Sequence, residues 1–336
     1  MKRNITLEDK MNGTDSIVIC GLKKSYRKDL PPAVDLQGEV HIHKGELFGI
    51  IGPDGAGKTT LFRMLATLVL PDGGSASLEG LDIVRDYRKI RTLLGYMPGR
   101  FSLYPDLSVR ENLEFFASVF GKEVEANYGL ISNIYDRLKP FERRKSGKLS
   151  GGMKQKLALC CSLIHSPSVL FLDEPTTGVD PSSRRELWEN LADLKASGMT
   201  IVVSTAYMDE ADRCDRVAMM KSGRFLTVDS PADIISKFDR RLFAARSEEM
   251  FRLLQDLKSI ADVERCYTFG DTHHFILRRD SHAGAEDLAE QLRSACGHRS
   301  VEVNEVPASL EDCYMNLEEA GSADMDFAGN TSREDK

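Results

Sequence analysis

Gly52-Pro53-Asp54-Gly55-Ala56-Gly57-Lys58-Thr59, followed by Thr60, is the stretch that decides how this chain folds. It fits G-x-x-x-x-G-K-[ST], in which glycines let backbone N–H groups turn inward around phosphates. An apolar run from Phe48 to Ile51 precedes it, and a helical pattern from Lys58 to about Leu68 follows. Strand, glycine-rich turn and helix are the context this motif needs, because the helix then points its positive end at the anion. Lys58 is placed to bridge β- and γ-phosphates, and the Thr59 hydroxyl to bind Mg²⁺.

Further along, Val169-Leu170-Phe171-Leu172-Asp173-Glu174 reads as a buried strand ending in two carboxylates. Asp173 suits the Mg²⁺ shell, and Glu174 suits orienting or deprotonating an attacking water. Thr200 to Val203 is a second buried strand. From Ser16 onward, short β-branched runs alternate with helical patterns, which predicts an α/β domain built on a largely parallel sheet. Ser108 to Phe120 reads as a helix with Ser108 as N-cap and Glu111 completing a capping box. It opens an all-helical insert, residues 98–162.

Leu149-Ser150-Gly151-Gly152-Met153 stands directly before another amphipathic helix. Ser150 can cap that helix, and the glycines again free N–H groups for an anion. One nucleotide is already served by Gly52–Thr60, so this second anion site asks for another. In this order the motifs of residues 17–231 resemble the nucleotide-binding domain of ABC transporters, LSGGM standing close to that family's LSGGQ signature. The resemblance implies a P-loop NTPase fold with a helical subdomain, ATP and Mg²⁺ as cofactors, and ATP hydrolysis with Glu174 as the catalytic carboxylate. It also implies a head-to-tail pair of such domains, in which the signature Leu149–Met153 closes on the partner's ATP. Tyr26 sits where the family stacks an aromatic ring on adenine; a half-buried strand tyrosine is the other reading. Gly178-Val179-Asp180-Pro181 looks like the D-loop, whose Asp180 touches the opposite site, and Pro181 fits the first position of the next helix.

Two positions depart from the family pattern. Gly99 stands where glutamine is usual, and Ala206 where histidine is usual. Neither supplies the side-chain hydrogen bond. The expected consequence is slow hydrolysis at this chain's own site, and pairing with either a second copy or a different ABC subunit.

Ser309-Leu310-Glu311-Asp312, within Val306–Leu317, is similar to the ending of drug and polysaccharide export ATPases, as is the loop Phe101–Asn112. The resemblance implies an exporter subunit, with the loop near Gly99–Leu107 docking on integral membrane permease subunits through Phe101, Tyr104 and Leu107. These three could equally pack inside the helical insert. It implies a cytoplasmic place, peripheral on the inner face of the plasma membrane. An importer ATPase and a soluble ABC ATPase of translation or DNA maintenance are the alternatives. Arg143, Arg144, Lys145 and Lys148 form a basic run that reads as a solvated helix face or as a contact for anionic lipid.

The bulk composition bounds these readings. The 336 residues suggest about two domains. A hydrophobic share of 41% and a charged share of 29% are those of an ordinary globular chain. A net charge of -7 argues against a nucleic-acid partner. No apolar run approaches the ~20 residues that span a bilayer, and residues 1–14 lack a signal-peptide core. Cys20, Cys160, Cys161, Cys214, Cys266, Cys296 and Cys313 show no CxxC spacing, which suits reduced, buried thiols. His273 and His274 are neighbours on a predicted strand and so face opposite ways, which argues against a metal site.

Four regions follow: a flexible leader, 1–14; a nucleotide-binding domain, 15–231; a small accessory domain, 232–319; and a disordered tail, 320–336. Within the accessory domain the expected order is strand 241–246, helix 248–259, strands 263–269 and 273–279, helix 284–295 and strand 301–305, with a terminal helix 310–317. That βαββαβ order matches a ferredoxin-like unit.

Overall fold

Leu47–Ile51, buried throughout, is the strand that delivers the chain into the phosphate loop. It belongs to a computed structural model that describes residues 14–100 and 103–318. The readings of a leader at 1–13, of a tail at 320–336 and of Phe101 as a contact lie outside the described residues.

In chain order the first elements are β1 (Asp15–Lys24), β2 (Val34–Asp35), β3 (Glu39–His43), β4 (Leu47–Ile51), α1 (Lys58–Leu65), β5 (Gly73–Leu78) and β6 (Leu81–Asp82). Next come α2 (Tyr87–Leu93), β7 (Leu94–Met97), α3 (Val109–Val119), α4 (Tyr128–Tyr135), α5 (Gly151–Leu163) and β8 (Val169–Asp173). Then follow α6 (Pro181–Ala196), β9 (Thr200–Thr205), β10 (Arg216–Lys221), β11 (Arg224–Asp229) and α7 (Pro231–Ser236). The last elements are β12 (Leu242–Arg246), α8 (Met250–Ser259), β13 (Val263–Phe269), β14 (Thr272–Leu277), α9 (Ala285–Ser294) and β15 (Glu302–Glu305). Residues 310–318 are helical. The described chain divides into two compact units, one running up to Pro231 and one spanning Ala232–Leu317.

The first unit carries the expected parallel sheet, in the order β11-β10-β4-β9-β8-β7, with only the β10–β11 pairing antiparallel. Its strands are apolar on both faces because helices cover both. A second, antiparallel sheet of β1, β2, β3, β5 and β6 stands beside it. The sequence reading, which expected one largely parallel sheet, did not foresee this one. The two share a core in which Ile17, Ile42, Phe48, Phe62 and Phe171 are buried together. Phe62 on α1 meets Phe171 on β8 with ring centroids 5.5 Å apart. Burying such rings contributes about 1.5–3 kcal/mol each, and here it fixes the phosphate loop's helix against the strand that ends in acids.

Helix α1 stops at Leu65, three residues before the expected Leu68. Thr67 adopts a left-handed backbone (φ 61°), and Arg91 holds it there, donating Nε to its Oγ1 and Nη2 to its carbonyl. The apolar periodicity ran on because Leu68 and Val69 are apolar, but they lie past the cap. α3 begins with the capping box read from Ser108 and Glu111. With α4 and α5 it supplies the helical subdomain between β7 and β8.

In the second unit the four strands form an antiparallel sheet ordered β13-β14-β12-β15. Phe243, Leu253, Phe275, Leu288 and Leu292 build its core. α8 starts two residues inside the expected helix and ends with it at Ser259, α9 falls one residue inside at each end, and the terminal helix runs one residue past 317, shifts of the size that helix ends usually show. His273 and His274 do diverge: His273 contacts the Met250 carbonyl and His274 contacts Asp312.

Candidate nucleotide site

The phosphate loop turns between β4 and α1 on a backbone that only glycine tolerates at its last step. Gly57 has φ 109°, and a Cβ there would lie 2.3 Å from the Ala33 carbonyl. Pro53, Asp54 and Gly55 are exposed, Ala56 is buried, and Gly57, Thr59 and Thr60 are half-buried. Lys58 is buried, with Nζ donating to the carbonyls of Gly52 (2.7 Å) and Pro53 (3.0 Å). The same ammonium pairs with Glu174 Oε1 at 3.1 Å.

Asp173 ends β8 beside it, accepting hydrogen bonds at Oδ1 from Thr59 Oγ1 (3.2 Å) and Ser204 Oγ (2.7 Å). Burial pushes the Asp173 carboxyl up from its ordinary value; the two hydroxyls oppose that, and the charge of Glu174 adds to it. Glu174 follows in a left-handed conformation (φ 51°). Its N–H donates to the Ser204 carbonyl (3.1 Å) and hydroxyl (2.9 Å), which pins the strained residue to β9. The ends of β4, β8 and β9 thus bring Lys58, Thr59, Asp173 and Glu174 together. Ser204 was not singled out from sequence. Its only signal is a hydroxyl at the end of an apolar strand, and the register that pairs it with Asp173 is a tertiary fact.

The other predicted residues lie elsewhere. Tyr26 is 58% exposed, with Lys24 Nζ 5.9 Å from its ring centre. Ser150 caps α5 through Met153 N (3.3 Å), and Leu149 is buried. Gly152 packs against the start of α6, where a Cβ would lie 2.8 Å from Ser183 Cβ, and a Cβ on Gly151 would lie 3.4 Å from the Gly178 carbonyl. Asp180 caps α6, accepting from Ser182 N (3.1 Å) and Ser183 N (3.0 Å). The signature and the Asp180 turn are therefore one continuous surface, braced by Gln155, whose side-chain amide donates to the Pro175 carbonyl. Ala206 is exposed. Gly99 runs beside β8, and a Cβ on it would meet the Asp173 carbonyl oxygen at 3.1 Å.

A cavity of about 360 Å³ opens between the strand side of the unit and its helical subdomain, lined by Leu68, Leu103, Phe116, Val119, Phe120 and His165. Tyr104 is exposed, edge-on to Phe115 at 4.7 Å and with its ring centre 6.3 Å from that of Phe116, which lines the cavity. Leu107 is half-buried.

A family model described as ABC transporter matches residues 37–177. The chain is 39% identical over 306 residues to the probable multidrug ABC transporter ATP-binding protein YbhF of Escherichia coli K12, covering 90% of this chain and 52% of that one. It is 36% identical over 281 residues to the Nod factor export ATP-binding protein I of Burkholderia pseudomallei, covering 82% of this chain and 89% of that one. This chain belongs to the ABC transporter ATP-binding family. It spans about half the length of YbhF. Among solved structures it resembles cbiO1 of Clostridium perfringens, part of the cbiONQ complex, with a TM-score of 0.58 and 27% identity over 67% of this chain and 92% of that one. No helix among the described residues is long and apolar enough to cross a membrane.

Proposed function

We propose that this chain binds and hydrolyses MgATP as the ATPase subunit of an ABC exporter, paired head to tail with a second such domain on integral membrane permease subunits. The observation that carries this reading is the convergence of Lys58, Thr59, Asp173 and Glu174 at the ends of β4 and β8. The donor set fits the ligand. Asp173 is a buried carboxylate held, among the described residues, by two hydroxyls, with spare capacity for a cation, and Thr59 adds the oxygen of a Mg²⁺ shell. Lys58 and the N–H groups of Gly55 to Thr60 hold the phosphates, Glu174 orients the attacking water, and Tyr26 stacks on the adenine. Bound Mg²⁺ supplies neutralisation of the phosphate charge. Leu149–Met153, on one surface with Asp180, completes the partner's site.

The export assignment is supported by the names of YbhF and the Nod factor protein. The groove at Leu68, Phe116 and Val119, with the exposed Tyr104 ring against Phe116, suits the apolar face of a permease's cytoplasmic helix. This places the subunit in the cytoplasm, peripheral on the inner face of the plasma membrane. Residues 15–231 form the nucleotide-binding domain. Residues 232–319 form an accessory domain of ferredoxin-like type, a reading supported by its βαββαβ element order and by the spatial strand order second-third-first-fourth. ATP favours the closed pair, and hydrolysis lets it part.

Steady-state ATP hydrolysis by the purified chain, with Lys58→Ala as blank, tests the reading. Turnover above the blank supports it and shows that Gly99 and Ala206 are compensated. Absence of both ATP binding and turnover overturns it. Binding without turnover, restored by Ala206→His with Gly99→Gln, assigns the slow chemistry to those two positions; the tight 3.1 Å approach at Gly99 makes the histidine the larger contributor. Tyr104→Glu with Val119→Glu should release the protein from membranes while sparing ATP binding.

A further inference from the structure

Glu210 belongs to none of the motifs above, yet it is 2% exposed and touches three of the segments that carry them. Its Oε2 accepts from Thr205 Oγ1 at 2.6 Å and from Thr176 Oγ1 at 3.0 Å. Both threonines are buried. Thr205 ends β9 next to Ala206, and its hydroxyl also accepts from Tyr207 N at 3.0 Å. Thr176 opens the loop that runs from Glu174 to Asp180. The other carboxylate oxygen, Oε1, faces Arg184 Nε on α6 at 3.5 Å.

That last contact is unfinished. Glu210 Oε1 and Arg184 Nε are both buried, and neither makes a hydrogen bond among the described residues. A buried charge pair left short of hydrogen-bond contact carries much of its desolvation cost uncompensated. Arg184 is held in place from the side: its guanidinium lies over the Tyr207 ring at 4.2 Å and reaches Asp209 at 3.9 Å. A small advance of α6 would close the pair. Since α6 is capped by Asp180 and its Ser183 packs on the signature's Gly152, such an advance is what pressure from a partner domain would produce.

We propose that Glu210 is a positioning residue that ties the segment after β9 to the Asp180 turn, so that displacement at one ATP site of the pair is passed to the other. The Tyr207–Arg184 stack closes the joint. It acts at a place where Ala206 offers no hydrogen-bonding side chain, which makes the backbone position of that segment the remaining means of control. This inference rests on the head-to-tail reading proposed above.

Glu210→Gln tests it selectively. The amide keeps an oxygen for the two threonines but turns an N–H group toward Arg184, so only the α6 joint is lost. The expected result is a fall in kcat of about tenfold, the size of a small misplacement, and loss of the sigmoidal dependence on ATP, with KM within about twofold of the parent. Tyr207→Phe, which keeps the ring, should retain the sigmoidal curve, and Tyr207→Ala should behave like Glu210→Gln. A hyperbolic curve in the parent, a KM that rises in step with the fall in kcat, or a Tyr207→Phe variant as impaired as Tyr207→Ala overturns the proposal. Hydrogen exchange gives a readout free of turnover. In Glu210→Gln, residues 176–184 and 204–211 should exchange faster together; faster exchange in 204–211 alone overturns the joint. Lack of both ATP binding and turnover in the parent would overturn the ATPase reading, while the exchange pattern would still decide this one.

Discussion

Asp173 in the first unit and Asp312 in the second are both carboxylates removed from water, at 2% and 0% exposure, and their surroundings treat them in opposite ways. Asp173 receives two hydroxyl donors at one oxygen and has Glu174 next to it, and burial holds its carboxyl above the ordinary range. Burial pushes Asp312 up as well, but its donors outweigh that and leave it below the ordinary range. They are His274 Nδ1 (2.7 Å), Tyr267 Oη (2.7 Å), Ser309 N (2.7 Å) and Ser309 Oγ (2.5 Å). The saturated carboxylate is a structural fastener: it closes a capping box on the helix that starts at 310 and ties it to β13 and β14. The under-coordinated one has hydrogen bonds at Oδ1 alone among the described residues, which is the spare capacity the proposed Mg²⁺ site would use, and it pays for that in stability. Function and fold thus use the same side chain at different degrees of satisfaction.

The largest effect expected from breaking this contrast is on the fastener. Asp312→Ala strands the buried donors of His274 and Tyr267, and should cost the second unit about 3 kcal/mol in denaturant unfolding; a loss below about 1 kcal/mol would show that water takes the carboxylate's place. Asp173→Asn should do the reverse. Turnover should drop on the order of 10²–10³-fold, while the protein gains about 1 kcal/mol of stability. If the Asp173→Asn variant is instead both inactive and destabilised, the carboxylate is needed for folding as well. Acid should separate the two further. The stabilisation from Asp312 is complete above the ordinary aspartate value of ~3.9 and is lost as pH falls through its lower folded value. For Asp173 the sign reverses: stability falls as pH climbs from that ordinary value through the raised folded one. Melting temperature against pH should therefore flatten on its upper part in Asp173→Asn and on its lower part in Asp312→Asn. The smallest effect is Ser309→Ala, which removes one cap and should cost about 1 kcal/mol, read as faster amide exchange at residues 310–313.

The phosphate loop, the capping box at Ser108 and the acidic end of β8 were legible because each is contiguous: spacing alone places the groups that must cooperate. Ser309–Asp312 was legible only as a likeness to export ATPases, whereas its physical content, a capping box locked to two side chains of a sheet, needed β13 and β14 in place. The end of α1 was misplaced because what stops the helix is Arg91, 24 residues away at Thr67. Glu210 had no role legible in the sequence, since its partners stand 5, 26 and 34 residues off on separate elements.

The sequence by itself determined the chemistry on offer: a glycine-rich turn of the kind proposed to cradle phosphates, a lysine, a threonine, two carboxylates and a second glycine-rich helix start, each set by local backbone rules that hold in any fold. Only the tertiary structure decided how those groups are tuned. The pairing of β8 with β9 puts Ser204 on Asp173 and Glu174, and the packing of α6 sets Arg184 against Glu210. Whether a carboxylate ends up saturated or hungry depends on how many donors the fold brings to it, and those donors arrive from distant parts of the chain.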